Sequence, residues 1–243
     1  MRTVLIHAAC VVLLLGASCT GGAVETSKAF PDDTRTAELA AAAASGDASR
    51  VAALVQAGAN PNAHGDKGVT PLQFALLAEN TDGMRALLAA GADPNLPGLG
   101  GASVVHMAAI ADDPKYLELL LESGANPDVR HAETGATPLA GATGPRTDAQ
   151  FRMLLDAGAD PDAADRTGDT PLHAAARINA GTHVLALLEK GVNPEARNAQ
   201  GKTFQPAFFR TEDALLTDEA RSNRQRVRDW LKTNGFALEA ASG

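Results

Sequence analysis

Histidines and clustered aspartates are the side chains of this sequence that could bind a metal ion or transfer protons. The 243-residue chain holds six histidines, and no two of them are four residues apart, the spacing at which a helix presents two metal ligands. A partial calcium-loop pattern is formed by Asp160, Asp162, Asp165 and Asp169. Its fifth position is Ala164 and no glutamate closes it, so we favour a solvated turn. We therefore predict no metal and no cofactor.

The sequence also lacks the patterns that are typical of nucleophilic catalysis and of nucleic-acid binding. No Ser or Cys lies in a recognisable nucleophile elbow, and no glycine-rich phosphate loop follows a strand pattern. The formal net charge is −8, and aromatic residues make up 4% of the chain. The chain therefore has neither a net positive field for phosphates nor many rings on which bases could stack. We predict that it is not an enzyme and that it does not bind nucleic acid.

The first eighteen residues have the layout of a secretory signal peptide. Arg2 is followed by an apolar run, Val4–Leu15, which is too short to span a bilayer comfortably, and then by small residues. We therefore expect residues 1–18 to be removed on export. Residues 19–34 contain Gly21-Gly22, Ser27, Pro31 and Asp32-Asp33, a composition that predicts a short flexible tether.

A possible anchor lies directly after this signal. The segment Gly16-Ala17-Ser18-Cys19 resembles a bacterial lipobox, in which the cysteine receives lipid and becomes the new N-terminus. The resemblance implies a lipidated Cys19, and Thr20 in place of an aspartate favours the outer membrane. The alternative is a stray cysteine near an ordinary cleavage site, for instance after Ala23. We expect a periplasmic protein that is anchored to the outer membrane.

The remainder of the chain repeats a short turn motif five times at intervals of 33 or 34 residues. The copies are Gly58-Ala59-Asn60-Pro61-Asn62, Gly91-Ala92-Asp93-Pro94-Asn95, Gly124-Ala125-Asn126-Pro127-Asp128, Gly158-Ala159-Asp160-Pro161-Asp162 and Gly191-Val192-Asn193-Pro194-Glu195. A Thr-Pro-Leu motif, clearest at Thr70 and Thr170, keeps the same interval, as does an apolar pair before each glycine. Threonine can cap a helix, proline suits its first position, and glycine can end the next helix in a left-handed conformation.

These motifs at this period resemble the ankyrin repeat over roughly residues 35–236. The resemblance implies an all-α fold, an ankyrin-repeat solenoid of paired antiparallel helices with projecting β-turn loops. We assign an N-terminal capping repeat to residues 35–69, four repeats to 70–202, and a C-terminal capping repeat and tail to 203–243. The resemblance also implies that His106 and His173 hydrogen-bond locally and tie neighbouring repeats together.

Two repeats depart from the pattern. Gly141, Gly144 and Pro145 fall in the first helix of the repeat that starts at Thr137, so we expect that helix to be short or frayed. The last unit carries an insertion around residues 212–222 and gathers five aromatic residues: Phe204, Phe208, Phe209, Trp230 and Phe236. We favour a hydrophobic cap over a partner-binding aromatic patch, and we read the run of arginines from Arg221 to Arg228 as a solvated helix face.

Positions outside the shared motif are free to specify a partner. By resemblance, the partner would contact the loop tips and the concave face of the first helices. The candidate partner-binding residues are Asp66, Lys67, Val69, Leu77, Leu99, Ile110, Glu133, Thr134, Arg166, Thr167, Asp169, Arg177 and Ile178. For Leu77, Ile110 and Ile178, packing between helices is an equally good interpretation.

The sequence thus predicts a non-catalytic protein-binding module of the bacterial cell envelope, monomeric by itself, whose partners are one or more envelope proteins. Two roles remain open: support of an envelope enzyme, or neutralisation of a toxic effector as an immunity protein. A secreted effector that acts on host proteins and an envelope enzyme are the competing classes.

The anchor assignment makes a direct prediction. Cys19→Ser removes the only thiol that could carry the lipid after processing, so the protein should move from the membrane fraction to the soluble periplasm. Fractionation followed by immunoblotting measures this, with Ser18→Ala as the matched control. Unchanged membrane association of the Cys19→Ser variant would contradict lipidation.

Overall fold

The computed structural model describes residues 26–239, and this part of the chain contains thirteen α-helices and no β-strand. The helices are α1 (Thr26–Ala29), α2 (Thr34–Ser45), α3 (Ala48–Gln56), α4 (Pro71–Leu77), α5 (Thr81–Ala89), α6 (Val104–Ala109), α7 (Lys115–Glu122), α8 (Pro138–Gly141), α9 (Asp148–Asp156), α10 (Pro171–Arg177), α11 (Gly181–Glu189), α12 (Gln205–Phe208) and α13 (Asp218–Thr233). Three 3-10 turns lie at Asp66–Gly68, Leu99–Gly101 and Asp213–Leu215. The predicted signal peptide and Cys19 lie outside the described residues.

Two compact units can be distinguished, and each is described by itself. Unit 1 comprises residues up to 104 together with 122–125, and unit 2 comprises 105–121 together with the residues from 126 onward. Within the described part of the chain, none of the helices combines the length and the apolar character that a membrane crossing requires.

Each first helix begins where the Thr-Pro motif predicts it. Thr70 is extended, at φ −98°, and its Oγ1 accepts a hydrogen bond from the backbone N–H of Gln73 at 3.2 Å. Gln73 Oε1 accepts the Thr70 N–H at 3.2 Å in return, which forms a capping box with Pro71 at the first helical position. Thr170 and His173 repeat this arrangement at the start of α10.

The motif glycines end the second helices, as the sequence predicts. Gly58 lies at φ +91°, and its N–H donates to the carbonyl of Val55 at 2.9 Å. The following N–H, that of Ala59, reaches back to Leu54 at 2.9 Å. This pair of bonds satisfies carbonyls that the helix end would otherwise leave free, and a residue with a Cβ would be strained at this φ.

The core of unit 1 combines large apolar side chains with very close helix contacts. Leu39, Val51, Phe74 and Leu87 are almost completely buried. Gly83 lies so close to α2 that a Cβ at this position would be 1.7 Å from the Ala43 carbonyl oxygen. Small residues therefore set the spacing of these helices, and substitution of Gly83 would force α5 away from α2.

The segment predicted as a flexible tether is folded in its described part. Residues 26–30 form α1 and the first turn after it, and Ala29 and Phe30 are buried against unit 1. The aromatic ring of Phe30 explains the difference, because it meets the ring of Phe74 edge-on with the centroids 6.2 Å apart.

The shortened first helix of the Thr137 repeat is confirmed: α8 has four residues. The chain after it is braced by hydroxyl groups. Thr143 Oγ1 donates to the carbonyl of Ala140 at 3.0 Å, and Thr147 Oγ1 contacts the carbonyls of Ala142 at 2.6 Å and Gly144 at 3.0 Å. Both threonines are buried, so this turn is ordered by side-chain hydrogen bonds where helical bonds have ended.

The C-terminal repeat is closed by a buried arginine that the sequence did not reveal. Phe204 and Phe208 are buried, which agrees with a hydrophobic cap, while Trp230 and Phe236 stack half-buried with their centroids 5.9 Å apart. The interpretation of the arginine run as a solvated face is wrong for Arg224, which is 1% exposed.

Arg224 is accommodated because acceptors surround it. Its guanidinium donates to the carbonyls of Thr211 at 2.5 Å and Phe208 at 2.7 Å, to Asp213 Oδ1 at 2.8 Å and to Asn179 Oδ1 at 3.2 Å. Hydrogen bonds from Arg228 and Arg224 lower the pKa of Asp213. The inserted residues around 212–222 thus supply part of the shell that makes burial of this charge possible.

Neighbouring repeats are joined by the fourth residue of the Thr-Pro motif. Each such side chain donates to the carbonyl that precedes the next repeat. The bonds are Gln73 Nε2 to Ala102 at 2.8 Å, His106 Nε2 to Ala136 at 3.0 Å and His173 Nε2 to Lys202 at 3.1 Å. In the C-terminal repeat, Gln205, one position earlier in its motif, makes an analogous bond to the Ala237 carbonyl of the same repeat at 3.1 Å. The linking role implied for His106 and His173 is confirmed.

The Thr137 repeat lacks this connection because its fourth residue is Ala140. Two consequences are visible: the buried Thr137 Oγ1 has no hydrogen-bond partner, and no side chain from position 140 can reach the Asp169 carbonyl. The Asp169 carbonyl accepts the Asp165 N–H at 2.9 Å within its own loop. One inter-repeat hydrogen bond is therefore missing in the middle of unit 2.

Restoring that bond should stabilise the protein. Ala140→Gln introduces a side-chain amide that can donate to the Asp169 carbonyl, as Gln73 donates to Ala102. We therefore expect the free energy of unfolding to rise by about 1 kcal/mol, the net value of a typical protein hydrogen bond. Thermal and urea unfolding measure the gain, which corresponds to roughly 2–4 °C in Tm for a chain of this size. Ala140→Met, similar in length but without a donor, is the matched control. Equal stability of the two variants would show that only side-chain volume matters.

Candidate functional site

The loop tips, where the sequence places much of the partner-binding surface, are first of all tied to one another. In unit 1, Asn62 Oδ1 accepts the backbone N–H of Asp93 at 2.7 Å, and its amide donates to the carbonyl of Gly91 at 3.0 Å. In unit 2, Asp128 accepts the N–H of Asp160 at 2.9 Å. The residue after the motif proline therefore joins adjacent loops within each unit, as Asn62 does in unit 1 and Asp128 and Asp162 do in unit 2.

These bonds between loops were not predicted, although their signal is present in the sequence. An Asx residue stands at both the third and the fifth positions of four motif copies. The third-position side chain closes a local turn, as when Asn60 Oδ1 accepts the Asn62 N–H at 2.9 Å, while the fifth-position side chain reaches the next loop. Asn or Asp recurs at both the third and the fifth motif positions because the two side chains make different hydrogen bonds.

The aspartates of the partial calcium pattern serve the same scaffold. Asp160 Oδ1 accepts the Asp162 N–H at 2.9 Å, and Asp165 Oδ1 accepts the N–H groups of Thr167 at 2.8 Å and Asp169 at 2.9 Å. Among the described residues, no group of three or more His, Cys, Asp or Glu is arranged to hold a metal ion. These carboxylates accept hydrogen bonds from backbone N–H groups in the turns.

Several candidate partner-binding residues of unit 2 already have partners within the chain. The Arg166 N–H donates to the Thr134 carbonyl at 2.9 Å, and its guanidinium donates to the Glu133 carbonyl at 2.5 Å. Ala199 makes the equivalent backbone bond to Thr167 at 2.7 Å. The side chains of Glu133, Thr134 and Thr167 remain exposed, so a partner could contact these tips without breaking their links.

An ion pair connects two further candidates. The Arg177 guanidinium contacts the Asp169 carboxylate, whose other oxygen accepts from Asn198 Nδ2 at 2.9 Å. The Asp169 side chain is only 13% exposed, whereas the Arg177 side chain is 54% exposed. Asp169 thus holds Arg177 at the surface and is itself mostly covered.

Two candidate isoleucines of unit 2 are more than half exposed. Ile110 follows α6 and is 56% exposed, and Ile178 follows α10 and is 54% exposed. Ile110 Cγ2 would be 3.4 Å from a Cβ at Gly141, the only described contact of such a Cβ within 4 Å. Ile110 therefore lies against the glycine of the short α8, while its exposed part could contact an apolar group of a partner.

In unit 1, two candidate residues are not available as predicted. Val69 is 0% exposed and belongs to a core cluster with Phe30, Ala40 and Phe74, so its assignment to a partner-binding surface is wrong. Leu99 is half-buried and packs against the same cluster. The cause is the N-terminal segment, which brings Phe30 onto these side chains.

The other candidates of unit 1 keep surface positions. Asp66 and Lys67 are exposed in the loop before α4, and Lys67 lies at φ +53°. Leu77 is half-buried at the end of α4. Unit 1 therefore offers a polar loop tip, whereas unit 2 offers loop tips together with the exposed isoleucines.

Family comparison agrees with this architecture. The sequence matches the family described as ankyrin repeats (3 copies) over residues 105–198, and the ankyrin repeat itself over residues 67–99. The chain belongs to the ankyrin-repeat family. No curated protein matches the chain in sequence.

Two solved structures contain chains that are similar to this one in sequence and in fold. The chain is similar to the ankyrin repeat domain of Bcl-3, a member of the IkappaB protein family, with 26% identity over 86% of this chain and 90% of that one and a TM-score of 0.69. It is also similar to a chain in the structure of the Bd0816 predatory endopeptidase from Bdellovibrio bacteriovorus in complex with immunity protein Bd3460, with 26% identity over 80% of this chain and 97% of that one and a TM-score of 0.61. The protein is thus a protein–protein interaction module built on an ankyrin-repeat solenoid.

The buried histidines give this scaffold a pH dependence. Burial lowers the pKa of His106, His173 and His183, and the neighbouring His131 lowers that of His106 further. The carbonyl bonds of His106 and His173, and the Asp148 carboxylate beside His183, oppose this effect. Because the unfolded chain binds protons more readily at these sites, stability should decrease as the pH falls below about 6.5.

Glutamine at Gln73 forms the same inter-repeat bond and does not titrate, so it supplies the test. In the His106→Gln, His173→Gln double variant, we expect the fall in Tm between pH 7.5 and pH 5.5 to shrink by roughly half. Thermal unfolding followed by circular dichroism measures it, with the exposed His64→Gln as control. An undiminished pH dependence in the double variant would contradict this origin.

Proposed function

We propose that this protein is a non-catalytic binding module of the bacterial cell envelope that neutralises a partner enzyme as an immunity protein. The observation that carries the proposal is the likeness to a chain from an endopeptidase complex with an immunity protein, which extends over 97% of that chain. The pair of exposed isoleucines in unit 2 gives the proposed interaction a surface.

The proposed location is the periplasmic face of the outer membrane. It is supported by the signal-peptide layout of residues 1–18 and by the lipobox-like sequence before Cys19. An anchor followed by a repeat array would hold the binding surface close to enzymes of the envelope. A toxic enzyme would then meet its inhibitor before it reached its substrate.

Ile110 and Ile178 are the residues that we expect to contribute most to binding in unit 2. Each leaves more than half of its surface exposed, and burial of an aliphatic side chain against a partner contributes about 1.5–3 kcal/mol. The Arg177 guanidinium, held by Asp169, adds a charged group beside Ile178. An apolar centre with a polar rim is the usual composition of a protein interface.

The partner can be isolated with the tagged mature protein from solubilised envelope and then purified for a direct binding assay. We expect the Ile110→Glu, Ile178→Glu double variant to bind this partner at least about 100-fold more weakly, because each substitution places a charge in the apolar centre. Leu215→Glu is the matched control, since Leu215 is 76% exposed but lies in the C-terminal insertion. Unchanged affinity of the double variant would remove these isoleucines from the interface.

Enzymatic activity of the captured partner separates the two roles. Neutralisation predicts that stoichiometric addition of this protein inhibits the enzyme and that deletion is toxic in cells that express the enzyme. If the protein instead supports an envelope enzyme, its addition should maintain or raise the activity of that enzyme, and its deletion should lower that activity. Activation or no effect on the purified partner would contradict the immunity role.

A further inference from the structure

The N-terminal segment of the described chain lies across a surface that the sequence assigns to a partner. This segment, residues 26–30, is called the strap. Its last two residues, Ala29 and Phe30, are 1% and 3% exposed, while Ser27 and Lys28 are exposed. Phe30 packs with Val69 and Phe74 in one buried cluster, and Leu99 lies against it.

The backbone of the strap also occupies a defined position. A Cβ at Gly65 would be 2.1 Å from the Ala29 carbonyl oxygen, and a Cβ at Gly98, one repeat later, would be 2.1 Å from Gln73 Oε1. Gly65 and Gly98 are equivalent glycines of neighbouring repeats. The Ala29 carbonyl oxygen therefore has the same position relative to Gly65 as the side-chain oxygen of Gln73 has relative to Gly98. One period before Gln73 the sequence has Ala40, which has no such oxygen.

The strap therefore fills a place that an inter-repeat side chain fills elsewhere in unit 1. The Ala29 carbonyl and the side chains of Ala29 and Phe30 contribute to this contact, and the helix before Phe30 is a single turn of four residues. A segment whose only helix is a single turn can open locally while the repeats beneath it stay folded.

We propose that the strap is an autoinhibitory contact, which covers the apolar part of the unit 1 surface and can be displaced by a segment with the same chemistry. That chemistry is a small residue whose carbonyl approaches Gly65, followed by an aromatic side chain that enters between Val69, Phe74 and Leu99. The regulatory meaning rests on the proposed function, because only a partner-binding surface can be inhibited in this way.

The test supplies the strap in trans. A fluorescent peptide of residues 24–33 is titrated against the wild-type protein and against the Phe30→Ala variant, and binding is followed by anisotropy. We expect the variant to bind the peptide at least about tenfold more tightly, because its own strap no longer competes, while a peptide carrying Phe30→Ala should not bind either protein. Phe236→Ala, which removes an aromatic ring from the C-terminal repeat, is the control and should behave like the wild type.

A second measurement on the wild-type protein covers the case in which the Phe30→Ala variant does not fold. Trypsin cleaves after Lys28, and a strap that opens locally should be cut there much faster than the repeats unfold globally. Equal affinity of the peptide for wild type and a folded Phe30→Ala variant, or cleavage at Lys28 no faster than global unfolding, would overturn the proposal. Neither measurement uses the partner, so failure of the immunity role would leave both results interpretable.

Discussion

A side-chain hydrogen bond that recurs once per repeat is the contact on which the stacking of these helices depends. Gln73 and His173 each accept the N–H of the threonine that precedes their helix, and Gln73, His106 and His173 each donate to the carbonyl directly before the next repeat. The bond satisfies the carbonyl before Ser103, Thr137 or Thr203 and joins the two repeats. Because both Gln and His make this bond, the position requires a hydrogen-bond donor and not a charge.

The bond is absent at two places, and the fold compensates at one of them. Ala40 and Ala140 stand at equivalent positions in their repeats. At the first, the Ala29 carbonyl of the strap takes the position of the missing side-chain oxygen. At the second, the Arg166 N–H bonds to the Thr134 carbonyl of the preceding loop, and Thr137 Oγ1 stays without a partner. The Arg166 bond has a counterpart between the Ala199 N–H and the Thr167 carbonyl, beside a repeat that keeps its histidine link, so it does not replace the missing bond. The loss is thus offset at Ala40 by an added segment and is not offset at Ala140.

The fold could be predicted from the sequence because its signals are local and periodic. Thr70 caps, Pro71 starts a helix and Gly58 ends one through interactions within a few residues, and the same letters return every 33 or 34 positions. Burial of Val69 and Arg224 could not be predicted in this way. Phe30 covers Val69 from outside the repeats, and the acceptors around Arg224 are Asn179, Phe208, Thr211 and Asp213, which do not belong to the shared motif.

The same distinction applies to the candidate site. Arg166 and Asp169 do not belong to the shared motif, yet both make contacts within the scaffold, so lack of repetition alone does not identify a binding residue. Ile110 and Ile178 meet the stricter condition, since each is more than half exposed and neither fills the core. Ile110 lies against Gly141 of the four-residue α8, and Thr143 and Thr147 keep the turn after that helix ordered. This repeat has a shortened helix and fewer stacking contacts, but its surface remains ordered. Substitutions on such a surface can adapt it to a partner with little effect on the neighbouring repeats.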